Sequence, residues 1–157
     1  MMDFTEIWTA KSPHAHFYDV DISAPWSTLA PPTGTLFCGH LDGRKMLDSQ
    51  GVFEEFSRVF RFPVYFGWNW DAFSDCLRDM SWVPAQRYLA VVGYAESLLV
   101  DERDDIDVFR RIMKRAADSW GSTIGLSEEL GEAAVPFNIV YLASNSKVAS
   151  VQADFGG

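Results

Sequence analysis

The run YLAVVGY at residues 88–94 constrains the fold of this chain more than any other stretch. A nearly continuous apolar run of that length suits a central strand covered on both faces. Thr35–Leu41 (TLFCGHL) reads as a second short strand, closed by the turn signal Asp42-Gly43, and residues 136–143 (PFNIVYLA) as the last one. Helical spacing fills the intervals. From Ser49, the residues Val52, Phe53, Phe56, Val59 and Phe60 form an amphipathic helix that Pro63 cannot continue. A second helix starts near Asn69, a good N-cap type, carries Phe73, Cys76, Leu77 and Met80 on one face, and ends before Pro84. A third, over roughly 104–120, buries Ile106, Phe109, Met113, Ala116, Ala117 and Trp120, with Arg111, Lys114 and Arg115 on its far side.

The order strand, helix, helix, strand, helix, strand predicts an α/β fold: a small three-stranded parallel sheet packed with helices and joined by right-handed crossovers. That domain is expected over residues 35–144. Residues 1–34 are an aromatic and proline-rich arm, with Phe4, Trp8, Phe17, Tyr18 and Trp26 beside Pro13, Pro25, Pro31 and Pro32. The aromatics imply that the arm packs on the domain, and Phe17–Ile22 alternates well enough to add an edge strand. Gly121–Ala134 reads as a connection, and 145–157 as a tail that frays towards its glycines.

Charge narrows the partners. Of 157 residues, 13 are Lys or Arg and 22 are Asp or Glu, a net charge of −9. Such a surface repels phosphate backbones, so nucleic acid and anionic membranes are not expected partners, and a cationic protein is. Taken alone, the charge need do no more than keep a domain in solution. The N-terminus MMDFTEIW lacks the basic and greasy pattern of a signal peptide, and no apolar run is long enough to span a bilayer, so a cytoplasmic protein is expected. Cys38 and Cys76 read as reduced core thiols. His14 and His16 have no neighbouring ligands at a metal-site spacing, so no zinc site and no cofactor are expected.

The chemistry concentrates in Phe62–Pro84 (FPVYFGWNWDAFSDCLRDMSWVP). Opposite the apolar face of its helix stand Asp71, Asp75 and Asp79, each four residues from the next, with Arg78 on the same side. Like charges at that spacing destabilise a helix, so stability alone does not select the row. In the loop before it, Tyr65, Phe66, Trp68 and Trp70 crowd around Gly67, and at least one ring must lie beside the carboxylates. An acidic helix face is most often a solvated surface and an aromatic loop most often a core staple. Together they favour a protein-binding face more than either does alone. No nucleophile elbow, P-loop, zinc motif or dinucleotide fingerprint is present, so no catalytic residue is expected.

The pattern P-x-Y-[FY]-G-x-N-x-D-A-[FL]-x-D-C-L, here Pro63, Tyr65, Phe66, Gly67, Asn69, Asp71, Ala72, Phe73, Asp75, Cys76 and Leu77, resembles the barstar family of intracellular inhibitors of barnase-type ribonucleases. The spacing to Pro84, the Leu41–Gly43 turn and the element order extend the resemblance over roughly residues 35–144. It implies no catalysis and no cofactor. It implies that an acidic helix and the loop before it plug a ribonuclease's cationic site, carboxylates standing in for substrate phosphates. By position, Tyr65 is an aromatic contact, Asp71 and Asp75 are the inserted charges with Asp75 the deeper anchor, and Asn69 caps the helix. There are departures. Ser74 stands where the family has an interface Trp, Arg115 where it has an acidic contact, and Met80 where it has a second Trp, with Trp82 close by.

The expectation is therefore a monomeric bacterial immunity or antitoxin protein whose partner is a cationic ribonuclease or another secreted toxin. The expected binding residues are Tyr65, Phe66, Trp68, Asn69, Asp71, Ser74, Asp75, Arg78, Asp79 and Trp82. Two rivals remain: a binding module that meets no toxin, and a metal-dependent enzyme using the aspartate row.

Overall fold

The structure, a computed structural model, describes residues 5–20, 35–122 and 134–156. Its elements run β1 (Ala15–Asp19), β2 (Leu36–Asp42), α1 (Ser49–Phe60), α2 (Trp70–Asp79), β3 (Arg87–Gly93), α3 (Ile106–Trp120), β4 (Phe137–Ala143) and α4 (Val148–Phe155). The strands form one sheet in the order β1-β4-β3-β2, every neighbouring pair parallel. The sheet is thus four-stranded, not three-stranded. The added strand lies two residues earlier than its alternation suggested, in register from Ala15 opposite Ile139 to Asp19 opposite Ala143. The reason is backbone satisfaction: β4 is apolar almost throughout, and without β1 one side of it would leave buried N–H and C=O groups unpaired.

Two apolar layers follow from the period of two along each strand. Tyr88, Ala90, Val92, Phe137, Ile139 and Tyr141 face the helices, where they meet Phe56, Phe60, Phe73, Leu77 and Phe109. Leu89, Val91 and Val140 face the other way and meet Ile7 and Trp8 from a short 3₁₀ turn at Thr5–Trp8. The polar groups of that second face satisfy one another: His16 Nε2 donates to Asn138 Oδ1 at 2.8 Å, and Asn138 Nδ2 donates to the Thr9 carbonyl at 2.9 Å. The rest of the expected arm, residues 1–4 and 21–34, lies outside the described residues, as does most of the Gly121–Ala134 connection.

The C-terminal tail, expected to fray, is helix α4. Val151 and Phe155 are buried, and the Phe155 ring stacks on Tyr141 with centroids 5.2 Å apart. Val148, Val151 and Phe155 fall at i, i+3, i+7, a stripe too short and too diluted by polar residues to stand out in sequence. Cys38 and Cys76 are free thiols in the two different apolar layers, and burial pushes each up to about 11.

Candidate functional site

Helix α2 is built from both ends. At its start the Asn69 side chain accepts from the Ala72 N–H at 2.8 Å, satisfying one of the orphan donors of the first turn, and its Nδ2 donates back to the Gly67 carbonyl at 3.1 Å. At its end Met80 turns into the left-handed region (φ 48°) and its N–H closes on the Cys76 carbonyl. Between these caps Phe73, Cys76 and Leu77 face the core, and Asp71, Asp75 and Asp79 face outward and are exposed. The Asp75 side chain is 73% exposed and takes one ion pair, from Arg78 Nη2 at 2.7 Å. Arg78 also reaches the Ser74 carbonyl, so it lies along the helix and leaves Asp71 and Asp79 without a described ion pair.

The loop ahead of α2 sorts its aromatics by one turn. The Phe66 N–H bonds the Pro63 carbonyl at 2.9 Å, which throws the intervening Val64 and Tyr65 outward and Phe66 inward. Phe66 is buried edge-on against Phe62 and Phe53. Tyr65 is 71% exposed and Val64 fully so. Trp68 is 46% exposed, sits in the left-handed region at φ 56° and leans on Phe66 at 5.2 Å. A bulky residue in that conformation costs roughly 1–2 kcal/mol, and the neighbouring Gly67 does not take the strain in its place. Trp70 is half-buried, its ring edge-on to Phe53 at 4.9 Å.

Seven of the ten expected residues therefore share one surface: Tyr65, Trp68, Asn69, Asp71, Asp75, Arg78 and Asp79. Three do not present themselves to a partner as expected. Phe66 is core, because the turn at Pro63 sends only one of the two adjacent rings outward. Ser74 is 8% exposed, because α3 crosses beside it. Trp82 is half-buried and its Nε1 donates to the Phe60 carbonyl at 2.9 Å, which makes it a clamp on the end of α1. Met80, the position of a family contact, is fully buried.

The reading from sequence missed two features. Val64 is an exposed apolar tip. Beyond it, a groove of about 250 Å³ runs between α2 and α3, lined by Trp70, Asp71 and Ser74 on one side and Val108, Arg111, Ile112 and Arg115 on the other. Arg111 and Arg115 thus stand beside the aspartate helix. The signal was present, since Val108, Arg111, Ile112 and Arg115 follow i, i+3, i+4, i+7, but only the crossing of α2 over that stripe makes it a wall. Among the described residues no three His, Cys, Asp or Glu side chains converge on a metal position.

A family model described as Barstar (barnase inhibitor) matches residues 36–141, from the start of β2 into β4, and so takes in the loop and the whole of α2. No curated protein matches the chain. The chain belongs to the barstar family.

Proposed function

We propose that this member of the barstar family is a stoichiometric inhibitor, an immunity or antitoxin protein that acts in the cytoplasm by covering the cationic active site of a ribonuclease or a related toxin. The observation that carries the reading is the row Asp71, Asp75, Asp79 standing exposed on the outer face of α2, beside Tyr65 and Trp68. An active site that binds RNA gathers Arg, Lys and His around phosphate oxygens. Carboxylates spaced along one helix offer those cations acceptor oxygens of the same charge, already held by a folded scaffold, so little ordering is left to binding. The inhibitor performs no chemical step; it occupies the site. Tyr65 and Trp68 add rigid apolar contact at the rim and shield the charge pairs from water. The net charge of −9 draws a cationic partner into encounter and makes association sensitive to salt.

The test is capture by the wild-type chain from the producing cell's lysate and medium, followed by affinity measurements on Asp75→Ala. In the free protein the change is nearly silent. It loses an exposed pair with Arg78, worth about 0.3–0.5 kcal/mol, and relieves two like-charge neighbours worth about 0.2–0.5 kcal/mol each. In the complex it leaves buried cations unpaired, so binding falls by at least about 2 kcal/mol, or roughly 30-fold. Recovery of a basic ribonuclease whose affinity collapses in a variant that melts like wild type supports the reading. A partner held equally by Asp75→Ala refutes it.

A further inference from the structure

We propose that the groove between α2 and α3 receives an acidic side chain of the partner protein, its carboxylate held by Arg115 and Arg111. The proposal rests on the inhibitor reading above and names a second, oppositely charged element of the same interface. Arg115 carries it. The other cations of α3 are held on their own helix: Arg110 and Arg111 by Asp107, and Lys114 by Asp118 at 3.1 Å. Arg115 is exposed and has neither ion pair nor hydrogen bond among the described residues. Asp107 engages Arg111 through Nε at 3.1 Å, which leaves that guanidinium's outer edge free. Two arginines one turn apart repel each other, and among the described residues Arg115, unlike Arg111 with its Asp107, has no ion pair to offset this.

The groove they line is also unfinished on its other wall. Ser74 is 8% exposed, and its hydroxyl finds no partner among the described residues. A buried hydroxyl without an acceptor is unusual in a finished surface. A carboxylate seated over the groove would offer one oxygen to the Arg115 fork and leave another for its neighbours, a geometry that guanidinium suits and ammonium does not. A phosphodiester is the poorer fit. Asp71 shares the groove, Asp75 and Asp79 lie just outside it, and the chain carries −9 overall. What these walls complement is a surface on which an acid stands next to bases, the acid entering between Arg111 and Arg115 while the bases meet the aspartates. Such alternation fixes the register of a partner more sharply than a single-sign patch, because a shifted partner meets like charges.

The experiment uses the full isotope-labelled chain and three probes: N-acetyl-glutamate amide, N-acetyl-arginine amide and inorganic phosphate, each titrated while backbone amide and arginine Nε–H resonances are followed. The glutamate probe is expected to shift Ser74, Arg111 and Arg115 saturably, and Arg115→Glu to weaken that response at least tenfold while melting like wild type. The arginine probe is expected to shift Asp71, Asp75 and Asp79 in both proteins, which reports on the inhibitor face independently. A groove that ignores the glutamate probe, that responds unchanged in Arg115→Glu, or that prefers phosphate overturns the inference. If the aspartates still answer the arginine probe in that case, the inhibitor reading stands without it; if they do not, that reading loses its basis as well.

Discussion

Asn69→Ala tests whether one side chain holds the aromatic loop and the acidic helix together. Two bonds are lost: the cap from the Ala72 N–H at 2.8 Å and the loop bond to the Gly67 carbonyl at 3.1 Å. Loss of an N-cap of this type costs typically about 1 kcal/mol, and the exposed position of Asn69, where water can take over, keeps it near that figure. The loop bond adds at most about 0.5 kcal/mol for the same reason. The sum, about 1–1.5 kcal/mol, lowers the melting temperature of a domain this size by roughly 2–6 °C. Asn69→Asp separates the two bonds. It keeps the cap acceptor and places a negative charge at the helix start, worth about 0.3–1 kcal/mol, but it loses the amide donor to Gly67. It should therefore unfold within about 0.5 kcal/mol of wild type. The assay is urea unfolding followed by tryptophan fluorescence, comparing midpoints at equal slope. If Asn69→Ala is as stable as wild type, the cap does not hold the helix start. If Asn69→Asp falls as far as Asn69→Ala, the loop bond and not the cap carries the effect.

Phe155→Ala should cost about 3–5 kcal/mol, since it empties a buried position between Tyr141 and Phe109; a small effect in chemical unfolding would mean that α4 is not part of the core. Burial holds the His14 pKa below 6.5 despite Asp118 beside it, so the unfolded chain takes up that proton first, and stability is lost as pH falls from 6.5 through the folded value. In His14→Gln the plot of unfolding free energy against pH should be flatter across that window, and an unchanged slope would refute the assignment. Cys38 and Cys76, each raised to about 11 by burial, should resist iodoacetamide at a mildly alkaline pH where a free cysteine of pKa about 8.5 reacts, as read by intact mass; rapid double labelling of the folded chain would count against it.

What the sequence makes legible is what a local period encodes. The apolar runs of β3 and β4, the stripes of α1 and α3, the Asn69 cap and the outward phase of Asp71, Asp75 and Asp79 all follow from residues within a few positions of one another. What stays hidden depends on distant neighbours. AHFYD in β1 is a strand because β4 needs a partner on that side, and its own pattern contains a buried His16 that solvent-facing alternation would expose. The choice between Tyr65 and Phe66 for the core is local but follows no period: a turn bond to Pro63 makes it, and the strain of that loop falls on Trp68 and not on Gly67. Ser74 is on the outer half of α2 by helical phase and is covered only because α3 lies across it, with the Trp120 Nε1 donating to the Leu77 carbonyl at 2.8 Å as one tie between the two helices. That crossing also turns a charged stripe of α3 into one wall of the groove.

The aspartate row persists on α2 because the inner face of the same helix outweighs it. Two like-charge pairs cost about 0.4–1 kcal/mol together, and Asp79, in the last turn, adds an unfavourable interaction with the helix dipole. Against this, Phe73 and Leu77 are fully buried, each worth about 1.5–3 kcal/mol. The margin means that Asp71, Asp75 and Asp79 can each change without loss of the fold, so the outer face is free to follow a partner while the inner face is not. Asn69 is the exception. It caps the helix and also fixes the loop that carries Tyr65 and Trp68, so a substitution there couples stability to recognition, whereas one at Asp75 separates them. On this division, binding that tracks the aspartates and stability that tracks Phe73 and Leu77 are two independent readouts of a single ten-residue helix.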